Sequence, residues 1–101
     1  MASPEWWTAL PKCVQETVEQ ILHALAGGSI GFVAACIAVW FDAASVWVSV
    51  SAIAAAAISG AVRELAQNLG DDINDVLDAW IDWAAWSLGG VGAAILASVV
   101  F

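Results

Sequence analysis

Positive charge is what this sequence has least of. Across 101 residues the basic side chains are Lys12 and Arg63 alone, against ten Asp and Glu, for a formal net charge of −8. Nucleic-acid binding draws its affinity from neutralising phosphates with Lys and Arg. A peripheral clamp on anionic lipid needs a cluster of the same residues. Both classes are excluded. The surplus of carboxylates over lysine also suits a high-salt environment, where acidic groups keep a surface hydrated.

Charge of either sign is scarce. Charged residues make up 12% of the chain and hydrophobic ones 62%, where a soluble domain carries about a quarter and about half. A soluble chain this short exposes a large share of its surface and must cover it with polar groups. Those groups are missing, so the surplus apolar surface must face lipid or a large partner. The length allows one domain, residues 1–101.

Cysteine and histidine are equally sparse. Cys13 and Cys36 cannot make a disulfide framework and read as buried free thiols. Val33-Ala34-Ala35-Cys36 has the form of a lipoprotein cleavage box, but the segment before it carries Glu5, Glu16 and Glu19 with Lys12 alone, where a signal peptide needs a basic start. Processing at Cys36 is therefore not expected. His23 has no second histidine with which to build a metal site, and neither a glycine-rich phosphate loop nor a paired CxxC occurs. No motif points to catalysis, a cofactor or a metal, and the chain reads as a non-enzyme.

What the sequence does contain is three uncharged runs. Residues 24–41 and 84–101 are eighteen residues each, and residues 43–62 form the third. Each is near the lower limit for crossing a hydrocarbon core of about 30 Å, which favours upright helices. Trp40 and Trp47 flank Asp42 as an interfacial aromatic belt would, so the first two runs form a tight helical hairpin. Ahead of them, Ser3-Pro4-Glu5-Trp6-Trp7 reads as a helix start with an aromatic pair, and Pro11 restarts the helix. Residues 1–23 then read as an amphipathic N-terminal helix. Val14, Val18, Ile21, Leu22 and Leu25 lie on one side, and Lys12, Glu16, Glu19 and His23 form a solvated stripe on another. Residues 63–83 read as an acidic amphipathic segment after Gly70. Asp71, Asp75, Asp78 and Asp82 share one stripe there, a docking surface for a basic partner segment rather than a converging cation site. The predicted fold class is all-α and integral to a membrane, with three short transmembrane helices and these two amphipathic helices.

Helices in lipid associate through close van der Waals contact and favour small residues where they meet. The first run offers Gly28, Gly31 and Ala35, the second Ser45, Ser49, Ala52, Ala56 and Gly60, the third Gly89 and Ala93. These faces serve either one bundle or self-association into a homo-oligomer. Arg63 and Glu64 end the second run and either mark the interface or turn inward, with Arg63 neutralising Asp78 or Asp82. With His23 they would form a polar cluster at one interface. If all three runs span, Lys12 and Arg63 share a side, which the positive-inside rule places in the cytoplasm.

Together these residues resemble the VanZ-like group of small bacterial and phage membrane proteins. The resemblance rests on Lys12 and His23 leading into the first span and on Gly60 with Glu64 and Gln67. Asp82 before Gly89 and Gly92 or Ala93 completes it. Trp86 stands where that group often has Asn, and the arginine usual after Glu-x-x-Gln is missing. The resemblance implies a compact helical membrane protein with a polar cluster at one interface. Three functional readings follow. The first is a protein that acts by assembling in a bilayer, holin-like or structural in a virion membrane, although the chain ends without a holin's basic tail. The second is a membrane protein with a polar small-molecule site. The third is an accessory subunit of a larger membrane complex.

Overall fold

A computed structural model of the chain describes residues 4–68 and 76–101, apart from the side chains of residues 67, 68 and 76–79. Every regular element among them is a helix: α1 (Glu5–Thr8), α2 (Lys12–Trp40), α3 (Ser45–Asn68) and α4 (Val76–Val100). Three of these, over Lys12–Trp40, Ser45–Ala66 and Trp80–Val100, are long and apolar enough to cross a membrane.

Local chemistry sets the breaks. Pro11, extended at φ −55° and ψ 145°, ends the short first helix and caps the next. Its carbonyl accepts the amides of Val14 and Gln15 at 3.0 and 3.1 Å, and the Gln15 side chain reaches back to the Leu10 carbonyl at 3.0 Å. Between α2 and α3, Asp42 adopts φ 56°, the left-handed conformation that Asp tolerates better than most side chains. The Asp42 amide bonds to the Val39 carbonyl and the Ala43 amide to the Ala38 carbonyl, both at 3.0 Å. That pair of bonds is a Schellman closure. It reverses the chain within a few residues and produces the hairpin the sequence suggests.

The amphipathic segments do not stand apart from the spans. Residues 12–23 and the first apolar run form one helix of 29 residues, about 43 Å long. The second run continues through Arg63 and Glu64 to Asn68, and the described part of the acidic segment runs straight into the last span. No proline interrupts these junctions. Gly27 and Gly28 remain helical because the neighbouring helix packs on them.

The three long helices all contact one another, and the core between them is built from small side chains. Ala35, Ala52, Ala56 and Ala97 are at most 1% exposed. Val48, Ala52, Ala56, Gly60 and Glu64, at steps of four, form the inner line of α3. Ala93 and Ala94 of α4 meet Ala35 and Ala52 in the same cluster, with Phe32 and Val39 at its edge. Of the other small positions expected at contacts, Ser45 is exposed and Ser49 half-buried.

Close approach is tightest between α2 and α4. A Cβ on Gly27 would strike the Trp86 carbonyl, and one on Gly89 would strike the Ala24 carbonyl. One on Gly28 would lie 3.3 Å from the Gly89 carbonyl oxygen, and one on Gly31 would lie 2.7 Å from the Ala52 carbonyl oxygen. Gly92 on the outer side has nothing within 4 Å of that position.

The outside of the bundle is apolar. Leu25, Val33, Ile37, Val46, Ile58, Val62, Leu88, Ile95 and Val99 are all exposed. Trp40, Phe41 and Trp47 are exposed around the hairpin turn, while Trp6 and Trp80 are exposed towards the opposite end. Both cysteines are free, but Cys13 is exposed and Cys36 half-buried rather than buried.

Replacing Gly27 with Ala should therefore destabilise the bundle in detergent micelles by about 1–3 kcal/mol, the cost of overpacking. Gly92→Ala should be neutral or stabilising by up to about 1 kcal/mol through helix propensity. Equilibrium unfolding followed by helical circular dichroism distinguishes the two.

Candidate functional site

The polar groups of α2 do not all face away from the bundle. Lys12, Glu16 and Glu19 are exposed, and Lys12 lies 3.9 Å from Glu16 in an exposed pair worth little. Gln20 and His23 turn towards α4 instead, while Ile21, Leu22 and Leu25 face outward. The helix is thus inside-out relative to an amphipathic helix on a soluble core. Its solvated stripe ends before His23, whose side chain is 14% exposed.

Asp82 receives this polar edge. Its Oδ1 accepts a hydrogen bond from Gln20 Nε2 at 2.8 Å, and His23 Nδ1 lies 3.5 Å from the same oxygen. The first contact has hydrogen-bond geometry; the second is an electrostatic approach. Both join α2 to α4.

On α3, Arg63 Nη1 donates to Glu64 Oε1 at 2.9 Å. Neighbouring positions on a helix do not normally face each other, so the long guanidinium arm must fold back to make this contact. Glu64 is 7% exposed and is the buried charged side chain among the described residues. A carboxylate in such a place needs a charge partner and hydrogen bonds, and Arg63 supplies both.

Trp86 lies between the two pairs. Its ring is 6.5 Å from the His23 ring on one side, and the Arg63 guanidinium carbon is 5.9 Å from its centroid on the other. That distance suits a cation–π contact. Two glycines admit the residue. Gly27 meets its backbone, and a Cβ on Gly60 would lie 2.7 Å from the Trp86 Cβ. Trp86 is 7% exposed. Among the described residues its Nε1 has no hydrogen-bond partner, and neither has His23 Nδ1 nor Gln20 Oε1. By contrast, Trp83 one turn earlier donates Nε1 to the Ala57 carbonyl at 2.9 Å.

The expected cluster is thus assembled as two pairs, His23 with Asp82 and Arg63 with Glu64. Arg63 does not neutralise Asp82; Gln20 and His23 hold that carboxylate while the guanidinium is committed to Glu64 and the Trp86 face. The Asp78 side chain, and Asp71 and Asp75 of the acidic stripe, lie outside the described residues. The sequence alone does not place Gln20 in this cluster, and Trp86 enters it only as a departure from the VanZ-like pattern. Gln20 shares the step of three and four that links Glu16 and His23, and that was the available signal. Trp86 was otherwise readable as an entrance aromatic; the complementary sign was two glycines, Gly27 and Gly60, on the other two helices. Among the described residues no three His, Cys, Asp or Glu side chains converge as a metal site.

Comparison with protein-family models, with curated proteins and with solved structures yields no match.

Two measurements probe this arrangement. Trp86→Ala should cost about 3–5 kcal/mol, as loss of a large buried aromatic does. A double-mutant cycle between Gln20→Ala and Asp82→Ala should return a coupling of about 1–2 kcal/mol, typical of a hydrogen bond to a charged group. A coupling near zero would mean the α2–α4 polar bridge contributes nothing.

Proposed function

We propose that this chain is a non-enzymatic integral membrane protein that crosses the bilayer three times and acts by packing with further copies of itself, in the manner of a holin-like or virion-membrane structural protein. The membrane placement is supported by the segregation of charge. Residues 24–41, 43–62 and 83–101 carry none, and apart from serines such as Ser29, Ser45 and Ser98 their exposed side chains are apolar. The molecule is 47 Å long, against about 30 Å of hydrocarbon, so the polar end would emerge into the headgroups.

One observation carries the assembly reading. The small residues Gly27, Gly31, Ala35, Ala52, Ala56, Gly60 and Ala93 are consumed inside the bundle, but Gly92 opens a notch on the outer face of α4 between exposed Leu88, Val91 and Ile95. Such a notch allows a second helix to approach closely, which is what drives association where lipid removes the hydrophobic contribution. In mild detergent, crosslinking should trap dimers and larger species of the wild type, and Gly92→Ile should reduce them to monomer without unfolding the bundle. Monomer alone in the wild type would sink this reading. Expression in a bacterial inner membrane then separates the two versions, since loss of membrane potential supports the holin-like one.

A second reading is favoured by a different observation, the buried Glu64 and, among the described residues, the buried polar atoms Trp86 Nε1, His23 Nδ1 and Gln20 Oε1 that make no hydrogen bond. It is a polar small-molecule site at the interface, as the VanZ-like resemblance would imply. Alanine at Arg63 or Glu64 would abolish function under this reading and leave it intact if the cluster is structural.

A further inference from the structure

The first half of α2 has a pattern that its position in the bundle does not use. Viewed down the helix, Val14, Val18, Ile21, Leu22 and Leu25 fall within about 100° of arc, and Lys12, Glu16, Glu19 and His23 fall within about 60° on the opposite side. A helix so divided is suited to lying in a bilayer interface, one face in the acyl boundary and the other in water. The docked position aligns with neither face. The side of α2 that meets the bundle is set by Gly27, Gly31 and Ala35, and it falls between the two stripes. Val14, Ile21, Leu22 and Leu25 are left exposed, while His23 is drawn in against Asp82. On the membrane reading above, on which this inference rests, hydrocarbon begins near the uncharged run at Ala24. Val14 precedes Ala24 by ten residues, about 15 Å of helix, so an upright α2 holds it out in water.

The polar hold on this segment is narrow. Among the described residues, its side-chain contacts to α4 with an ionised group converge on one atom, Asp82 Oδ1, with Gln20 Nε2 at 2.8 Å and His23 Nδ1 at 3.5 Å. The hold is also incomplete, because Gln20 Oε1 and His23 Nδ1 are buried without a hydrogen bond there, a cost that access to water would remove. Immediately after the segment comes Gly27-Gly28-Ser29. Glycine weakens a helix interior, and glycine–serine pairs are among the few places where helices kink sharply. Ser29 Oγ bonds back to the Leu25 carbonyl at 2.8 Å, a contact that favours bending.

We propose that residues 12–26 form a two-position arm, hinged at Gly27-Gly28-Ser29 and latched to α4 at Asp82. In the docked position the arm continues α2 upright, as in this structure. In the released position it turns at the hinge and lies along the membrane surface, with Val14, Val18, Ile21 and Leu25 in the acyl boundary. Lys12, Glu16 and Glu19 then face water, and Gln20 and His23 trade a half-made contact for hydration. What covers the apolar stripe is the interface of the same bilayer. That lipid need not be anionic, since the polar face carries one Lys against two Glu. Asp82 controls the change because both contacts end on it. Release also uncovers Asp82, which makes the arm a lid over the α4 side of the polar cluster.

The test puts a nitroxide on the full chain in phosphatidylcholine vesicles, at one site at a time through Val14→Cys, Glu16→Cys or Val33→Cys, with Cys13→Ser and Cys36→Ser throughout. All three labelled positions are exposed. Collision with oxygen reports acyl surroundings, and collision with a water-soluble nickel chelate reports water. With the arm docked, labels at 14 and 16 both meet nickel. Asp82→Ala removes both latch contacts at once. It should raise the population whose position 14 is shielded from nickel and open to oxygen about tenfold, as loss of a hydrogen bond to a charged group would. Position 16 should go on meeting nickel, which distinguishes a swing from a sinking of the whole helix. Gln20→Ala leaves α4 intact and should act in the same direction by a smaller factor, with circular dichroism confirming the helices of each variant. A label at 14 equally open to nickel with and without the latch, or labels at 14 and 16 shielded together, overturns the arm and leaves the membrane reading standing. Nickel contact at position 33, in the middle of the first span, overturns the membrane reading and the arm with it.

Discussion

The structure depends on how closely α2 and α4 approach. On the proposed membrane placement, helices gain nothing by hiding apolar side chains from one another, and attraction must come from dense atomic contact. Gly27 against the Trp86 backbone, and Gly89 against the Ala24 carbonyl, provide that density where a single methyl group would not fit. Everything at the polar end follows from it. Only with α2 and α4 this close can Gln20 span to Asp82, and only with Gly27 and Gly60 bare can an indole occupy the space between three helices.

The core is correspondingly unlike that of a soluble protein. Its innermost residues are alanines, and Trp86 and Val48 are its largest buried apolar side chains. Larger apolar residues lie outside. Leu22, Leu25 and Ile21 point away from the bundle while Gln20 and His23 point in.

Much of this was legible in the residues. The three uncharged runs, the turn at Asp42, the restart at Pro11, and the small-residue contacts at Gly28, Gly31, Ala35, Gly60, Gly89 and Ala93 can be read from spacing alone. What escaped was rotation and partner choice. A stripe of Lys12, Glu16, Glu19 and His23 is indistinguishable in sequence from a solvated face; the turn of His23 inward is decided by Asp82, more than fifty residues away. Arg63 had several candidate carboxylates, and its choice of Glu64 depends on an aromatic face supplied by another helix. Continuity was also hidden. Amphipathic segments and apolar runs differ in composition, but a helix does not end where its composition changes unless a proline or a left-handed residue ends it.

The turn at Asp42 bears on how such a bundle enters a bilayer. With the chain reversed by a Schellman closure and no intervening loop, α2 and α3 can cross as a pair with their connecting end leading. The cargo that end must carry through hydrocarbon is one carboxylate, at about 2.5–3.5 kcal/mol on insertion scales, against the several acidic groups that ride behind on α2, α3 and α4. The work of translocation is therefore strongly asymmetric, and the acidic end would stay in the compartment where the chain is made. Orientation would be set by the difficulty of moving carboxylates across, and the two basic residues need have little part in it.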